Sequence, residues 1–162
     1  MKPSPKDEKT LVMKKLDQLG IPYRAHCYVG SGAISGTEVA AVLGQNPDQV
    51  FKTLVTEAPG GGHYVFVIPV REELDLKKAA LAAGVKSVTM LHQKELEPLT
   101  GYVHGGCSPI GMKKFFPTYI DETVVLFDTF LFSAGRIGYQ VECSPEDLAR
   151  VIPYETAPLT RE

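Results

Sequence analysis

The sequence predicts a single α+β domain: a curved, mixed or mainly antiparallel sheet with helices around it. Three observations lead there. The chain has 162 residues, a length that one hydrophobic core can serve. Apolar residues make up 44% and charged residues 22% of it, the balance of an ordinary globular domain. Short β-rich runs alternate with short capped helices in mixed order, about six or seven strands and four or five helices, rather than in a strict βαβ repeat. No internal repeat or linker divides the chain. Residues 1–9 are expected as a flexible tail, 10–155 as the domain and 156–162 as a C-terminal tail.

Leu11, Lys15, Leu16 and Leu19 fall at helical spacing, and Gly20 with Pro22 ends that helix. Pro22 to Tyr28 reads as a short strand. Ser35-Gly-Thr-Glu38 is a capping-box pattern that opens a helix through Leu43, closed by Gly44. After the Asn46-Pro47-Asp48 turn, Val50 to Thr56 is a strong strand, and Gly60-Gly61-Gly62 turns it into a second one, Tyr64 to Val70. Asp75 caps LKKAALAA, which Gly84 stops. Val85 to Met90 is expected as a strand, and Gln93 to Leu96 as a helical turn stopped by Pro98. Gly101 to Met112 reads as a structured loop. Val124 to Phe132 and Gly138 to Glu142 are expected as strands joined across Ser133-Ala134-Gly135. Ser144-Pro145-Glu146-Asp147 then starts the last helix.

Composition narrows the function classes. No apolar run approaches the roughly 18–20 residues that span a bilayer, and MKPSPKDEK lacks the apolar stretch of a secretory signal. Cys27, Cys107 and Cys143 are odd in number and unpaired in spacing, which argues for a reducing, cytoplasmic setting. The net charge of −2 does not suit a protein that grips DNA or RNA along its length, since phosphate neutralisation supplies most of that affinity. A protein of this charge that handles RNA holds a short end or borrows affinity from a partner.

Chemistry could sit in three places. Lys52 interrupts the apolar strand VFKTLV, sharing its face with Val50 and Leu54. An unpaired ammonium is costly inside a sheet, so Lys52 either reaches water at an edge or faces a pocket that awaits an anion or polarised carbonyl. Gly105-Gly106-Cys107-Ser108-Pro109 is the second place. Adjacent glycines let a backbone approach a ligand and present N–H groups to a developing oxyanion, or else make a tight connection. Ser133-Ala134-Gly135-Arg136, a hairpin turn, is the third. His104 and Cys107 form an H-x-x-C, yet no paired metal-ligand spacing and no orienting partner for a nucleophilic thiol are visible. No cofactor or metal is expected.

Taken in order, NPDQVFKTLV, LDLKKAALAAG, GYVHGGCSPIGMKK and SAGRIGYQVECSPEDL resemble the YbaK/EbsC family of aminoacyl-tRNA deacylases, from about residue 10 to 152. The resemblance implies a compact α+β domain with a barrel-like mixed sheet, and a trans-acting hydrolase of mischarged tRNA, foremost Cys-tRNA(Pro), with aminoacyl-tRNA and prolyl-tRNA synthetase as partners. It places the family's central lysine on Lys52 and its paired glycines on Gly105 and Gly106. Its S-x-G turn falls on Ser133 and Gly135, and its aromatic lining position on Tyr28. Thr53, Ser108 and Pro109 complete the expected substrate-binding set. Family chemistry is attributed to the substrate's own ribose hydroxyl and cysteine thiol, without a protein nucleophile. Cys107, Ile137, Gln140 and Ser35 depart from the family pattern. Alternatives are Ala-tRNA(Pro) editing on the same fold and a non-catalytic module that binds a nucleotide or aminoacyl end.

Overall fold

A computed structural model describes residues 8–162, and the expected N-terminal tail lies outside these except for its last two residues. Thr10 caps α1 (Leu11–Gln18) through its side-chain oxygen. The buried face of α1 is Val12, Met13 and Leu16, while Leu11 and Leu19 face solvent. β1 (Arg24–Cys27) leads to α2 (Gly36–Leu43), whose capping box between Ser35 and Glu38 forms as expected. β2 (Phe51–Glu57) and β3 (His63–Pro69) are a hairpin in register from Phe51 opposite Pro69 to Glu57 opposite His63. Asp75 caps α3 (Leu76–Ala83), accepting from the Lys77 and Lys78 amides.

The second half departs further from expectation. Only Thr89–Met90 of the segment 85–90 pairs as a strand, β4. α4 (Gln93–Thr100) runs past Pro98 rather than stopping before it. The Thr100 hydroxyl donates to the Leu96 carbonyl and ties the last turn. β5 (Thr118–Asp121) was not expected. The segment 124–132 is not one strand: Asp121 accepts from Thr123, the chain turns as a 3-10 helix over Glu122–Leu126, and β6 is only Phe130–Ser133. β7 (Tyr139–Cys143), α5 (Pro145–Ala149) and β8 (Glu155–Ala157) complete the chain. The end of the chain is not the tail expected from 156 onward, because β8 pairs with β5 and Leu159 is fully buried.

The strands form two sheets. One is antiparallel, in the order β1-β7-β6, and the other is mixed, in the order β4-β2-β3-β5-β8. Among the described residues neither sheet closes on itself, so the expected barrel-like closure is not seen, and a parallel bridge from Val50 to Leu131 joins the two sheets. The larger sheet is covered on both faces. Phe51, Val55, Val65 and Val67 meet Phe130, Phe132 and Val141 of the smaller sheet and Leu16 of α1. Phe66 and Ile68 meet Ala79 and Ala80 of α3 together with Leu159. Each fully buried large side chain contributes about 1.5–3 kcal/mol, so this double coverage is the main source of stability.

Candidate active site

The site begins as an interruption in the sheet. On one edge β2 is bridged to β6 at Val50 and to β4 at Thr56 and Glu57. Between those contacts that edge has no strand partner among the described residues. The Val70 amide donates to the Val50 carbonyl, so by the alternation of an antiparallel pair the backbone groups of Lys52 and Leu54 face β3. Those of Thr53 face the gap.

A cleft of about 210 Å³ occupies this gap. A space of this size, open to solvent, holds a small organic group. The cleft wraps around the strand edge, so residues from both faces of β2 reach it, among them Lys52, Thr53 and Leu54. Ile34, Ser35, Gly36 and Val39 wall one side from the start of α2, and His104, Gly105 and Cys107 wall another. The first turn of α2 approaches closely: a Cβ on Gly36 would lie 2.4 Å from Val70 Cγ1.

Lys52 shares its face of β2 with Val50 and Leu54, which pack into two separate apolar clusters. Burial pulls its ammonium below the ordinary lysine range, and the charges of Glu73 and Glu72 partly counter this. No carboxylate among the described residues lies within ion-pair distance of it. The Thr53 hydroxyl oxygen is buried without a hydrogen-bond partner. Such a group at a cleft is what a ligand would satisfy.

The glycine loop divides its labour. Gly105 has φ +88° and lines the cleft, a backbone conformation that L side chains rarely adopt. The Gly106 amide is used in a turn, donating to the Val103 carbonyl at 3.0 Å. A Cβ on Gly106 would come within 3.1 Å of the Ile137 nitrogen, so this glycine admits the β6–β7 hairpin rather than a ligand. The Gly105 and Cys107 amides, beside the cleft, have no protein acceptor among the described residues.

Of the expected site residues, Tyr28, Lys52, Thr53, Gly105 and Ser133 meet at this cleft. Gly106, Ser108, Pro109 and Gly135 are not among its lining residues and lie behind it. Ser108 is fully buried, its hydroxyl accepting from the Ile110 amide. Gly135 packs where a Cβ would meet Tyr102 at 2.9 Å. Ser133 both lines the cleft and accepts from the Gly135 amide at 3.1 Å. Sequence reasoning missed the helix wall at Ile34 and Val39. Its one local signal was an exposed isoleucine immediately before the Ser35 cap.

Cys107 reaches the cleft, but burial pushes its thiol up to about 12. It is therefore protonated near neutral pH, the unreactive form of a cysteine. Among the described residues no three His, Cys, Asp or Glu side chains gather as a metal set, and no helix is long and apolar enough to cross a membrane.

Comparison with known proteins agrees with the architecture. The family model for the aminoacyl-tRNA editing domain matches residues 33–151, a span that holds every residue lining the cleft except Tyr28. EbsC of Enterococcus faecalis, provisionally named a Cys-tRNA(Pro)/Cys-tRNA(Cys) deacylase, is 44% identical over 154 residues, covering 94% of each chain. The uncharacterized YwhH of Bacillus subtilis is 25% identical over 112 residues, 69% of this chain and 71% of its own. A solved structure described provisionally as a trans-editing enzyme for prolyl-tRNA synthetase superposes with TM-score 0.82. It covers 96% of this chain and 100% of its own at 22% identity. The protein belongs to the aminoacyl-tRNA editing domain family, as a relative of EbsC.

Proposed function

We propose that this protein is a trans-acting aminoacyl-tRNA deacylase of the cytoplasm, with Cys-tRNA(Pro) as its substrate and the cleft around Lys52 as its reaction site. One observation carries the reading: an ammonium with no carboxylate at ion-pair distance among the described residues lines a cleft that Gly105 also lines. Ester cleavage builds negative charge on the carbonyl oxygen, and donors fixed where that charge develops lower the barrier. The carbonyl oxygen points to Lys52 and the amides of Gly105 and Cys107. The nucleophile, water or the substrate's own thiol, adds to the carbonyl carbon, and the ribose oxygen leaves with a proton. The protonated Cys107 is no rival nucleophile. Holding reactive groups of one substrate together gives large accelerations without an acid–base dyad.

The choice of cysteine is supported by the name given to EbsC. Prolyl-tRNA synthetase as partner is supported by the description of the superposing structure and by the net charge of −2, which leaves tRNA affinity to be supplied elsewhere. The test is turnover by purified protein of Cys-tRNA(Pro), Ala-tRNA(Pro) and Pro-tRNA(Pro). Cysteine is expected to be released at least tenfold faster than alanine, with proline spared. Faster alanine release would assign the sister editing activity. Binding without release would make the chain a recognition module.

A further inference from the structure

Gln140 lines the cleft and is 5% exposed. Its Oε1 accepts from Gln45 Nε2 at 2.8 Å, while its own Nε2 has no acceptor among the described residues. Gln45 follows the αL cap of α2 and is anchored there, its amide donating to the Ala40 carbonyl at 2.8 Å. The contact is not one that stability selects. Gln45 Oε1 is buried without a partner, and a buried unpaired carbonyl oxygen is a cost that an apolar residue would avoid.

We infer that Gln45 is a positioning residue that holds the oxygen of Gln140 away from the cleft, so that Gln140 Nε2 donates to the γ heteroatom of the bound aminoacyl group. This rests on the aminoacyl-tRNA reading above. Cysteine and serine carry such an acceptor atom and alanine does not, so the amide pair is a selectivity device. Lys52 and the glycine loop act on the ester itself, common to all three substrates.

The experiment compares Cys-, Ser- and Ala-tRNA(Pro) turnover for the wild type, Gln140→Leu, Gln45→Leu, Gln45→Glu and the double leucine variant, with melting measured on each. A ratio of kcat/KM between two substrates is insensitive to the active fraction. Gln140→Leu and Gln45→Leu should each lower the Cys/Ala and Ser/Ala ratios by about five- to tenfold, one lost hydrogen bond. Gln45→Leu should melt no lower than wild type. The double variant should do no more than either single, since both act through one bond. Gln45→Glu keeps a tether but reverses its polarity, turning Gln140 Oε1 toward the cleft, so its ratios should also fall. Unchanged ratios in Gln45→Leu and Gln45→Glu would overturn the positioning role, as would additive effects in the double variant. A second readout uses nitrogen-15 resonances of the Gln140 side-chain amide with cysteinyl and alanyl adenosine joined by an amide instead of an ester. A shift with the cysteinyl compound alone supports the inference, and equal shifts overturn it. Absence of turnover on every ester would instead sink the deacylase reading, leaving this second readout to decide the amide pair.

Discussion

Replacing Lys52 by methionine removes one charge while keeping a side chain of nearly the same length. The stem shares its strand face with the apolar Val50 and Leu54, and methionine can replace it with a packing change below about 1 kcal/mol. Removing the ammonium relieves its burial cost and forfeits its attraction to Glu73 and Glu72. Because the group is only half-buried, solvent screening holds the net gain under about 1 kcal/mol. The melting temperature should therefore stay within ~4 °C of wild type. Deacylation of Cys-tRNA(Pro) should fall by about 10²- to 10³-fold, the usual loss when a preorganised donor is taken from an oxyanion.

The pH dependence of that variant has a definite sign. The folded-state value for Lys52 is lowered from 10.5, so the charged form costs stability in the fold. That cost is fully present below the folded value and vanishes as pH rises above the unfolded one. Wild type should thus gain on Lys52→Met as the solution becomes alkaline, and its catalysed rate, corrected for spontaneous ester hydrolysis, should fall below the pH at which an ordinary lysine titrates. Paired calorimetry and single-turnover measurements on both proteins, from neutral to alkaline pH, give both quantities. If Lys52→Met melts more than ~10 °C lower, or turns over within threefold of wild type, the assignment of this lysine to the ester is wrong.

Three further outcomes are expected. Cys107→Ala should keep activity within about threefold, because the wild-type thiol is protonated near neutral pH, and chelator should leave activity unchanged, because no three His, Cys, Asp or Glu side chains gather among the described residues; a trapped adduct on Cys107, or turnover lost to chelator and restored by zinc, would refute this. Gly106→Ala should cost about 1–3 kcal/mol in denaturant unfolding, since its Cβ would press on the Ile137 backbone nitrogen at 3.1 Å; unaltered stability would show that the hairpin yields freely. Binding to free tRNA should be weak and salt-sensitive, because the net charge of −2 leaves no long basic stripe to neutralise phosphates; nanomolar affinity in filter binding at physiological salt would refute it.

Local chemistry made the first half of the fold legible. Ser35 with Glu38, Asp75 with Gly84, and the Gly60–Gly62 turn each act within a few residues, so pattern and structure coincide. β5 and β8 were hidden because their pairing is parallel and remote, with β3 and with each other. Asp121 explains the broken 124–132 segment, since it accepts both from Thr123 and from the distant Leu159 amide. At the cleft, the anomaly of a lysine in an apolar strand was readable at once. The amide pair was not: Gln45 and Gln140 are ordinary polar residues until the chain brings them together across 95 positions.

The interrupted edge of β2 also bears on how the protein avoids sticking to itself. Open strand edges are templates for edge-to-edge aggregation, and this one contains VFKTLV. Its free stretch is fenced at both ends by the bridges to β6 and β4 and flanked by the walls at Ile34–Gly36 and His104–Gly105. An extended segment from another molecule would need several consecutive residues to register, and the bridges at Val50 and Thr56 leave only residues 51–55 between them. The fold can therefore leave a backbone unsatisfied for a small guest while denying it to a strand.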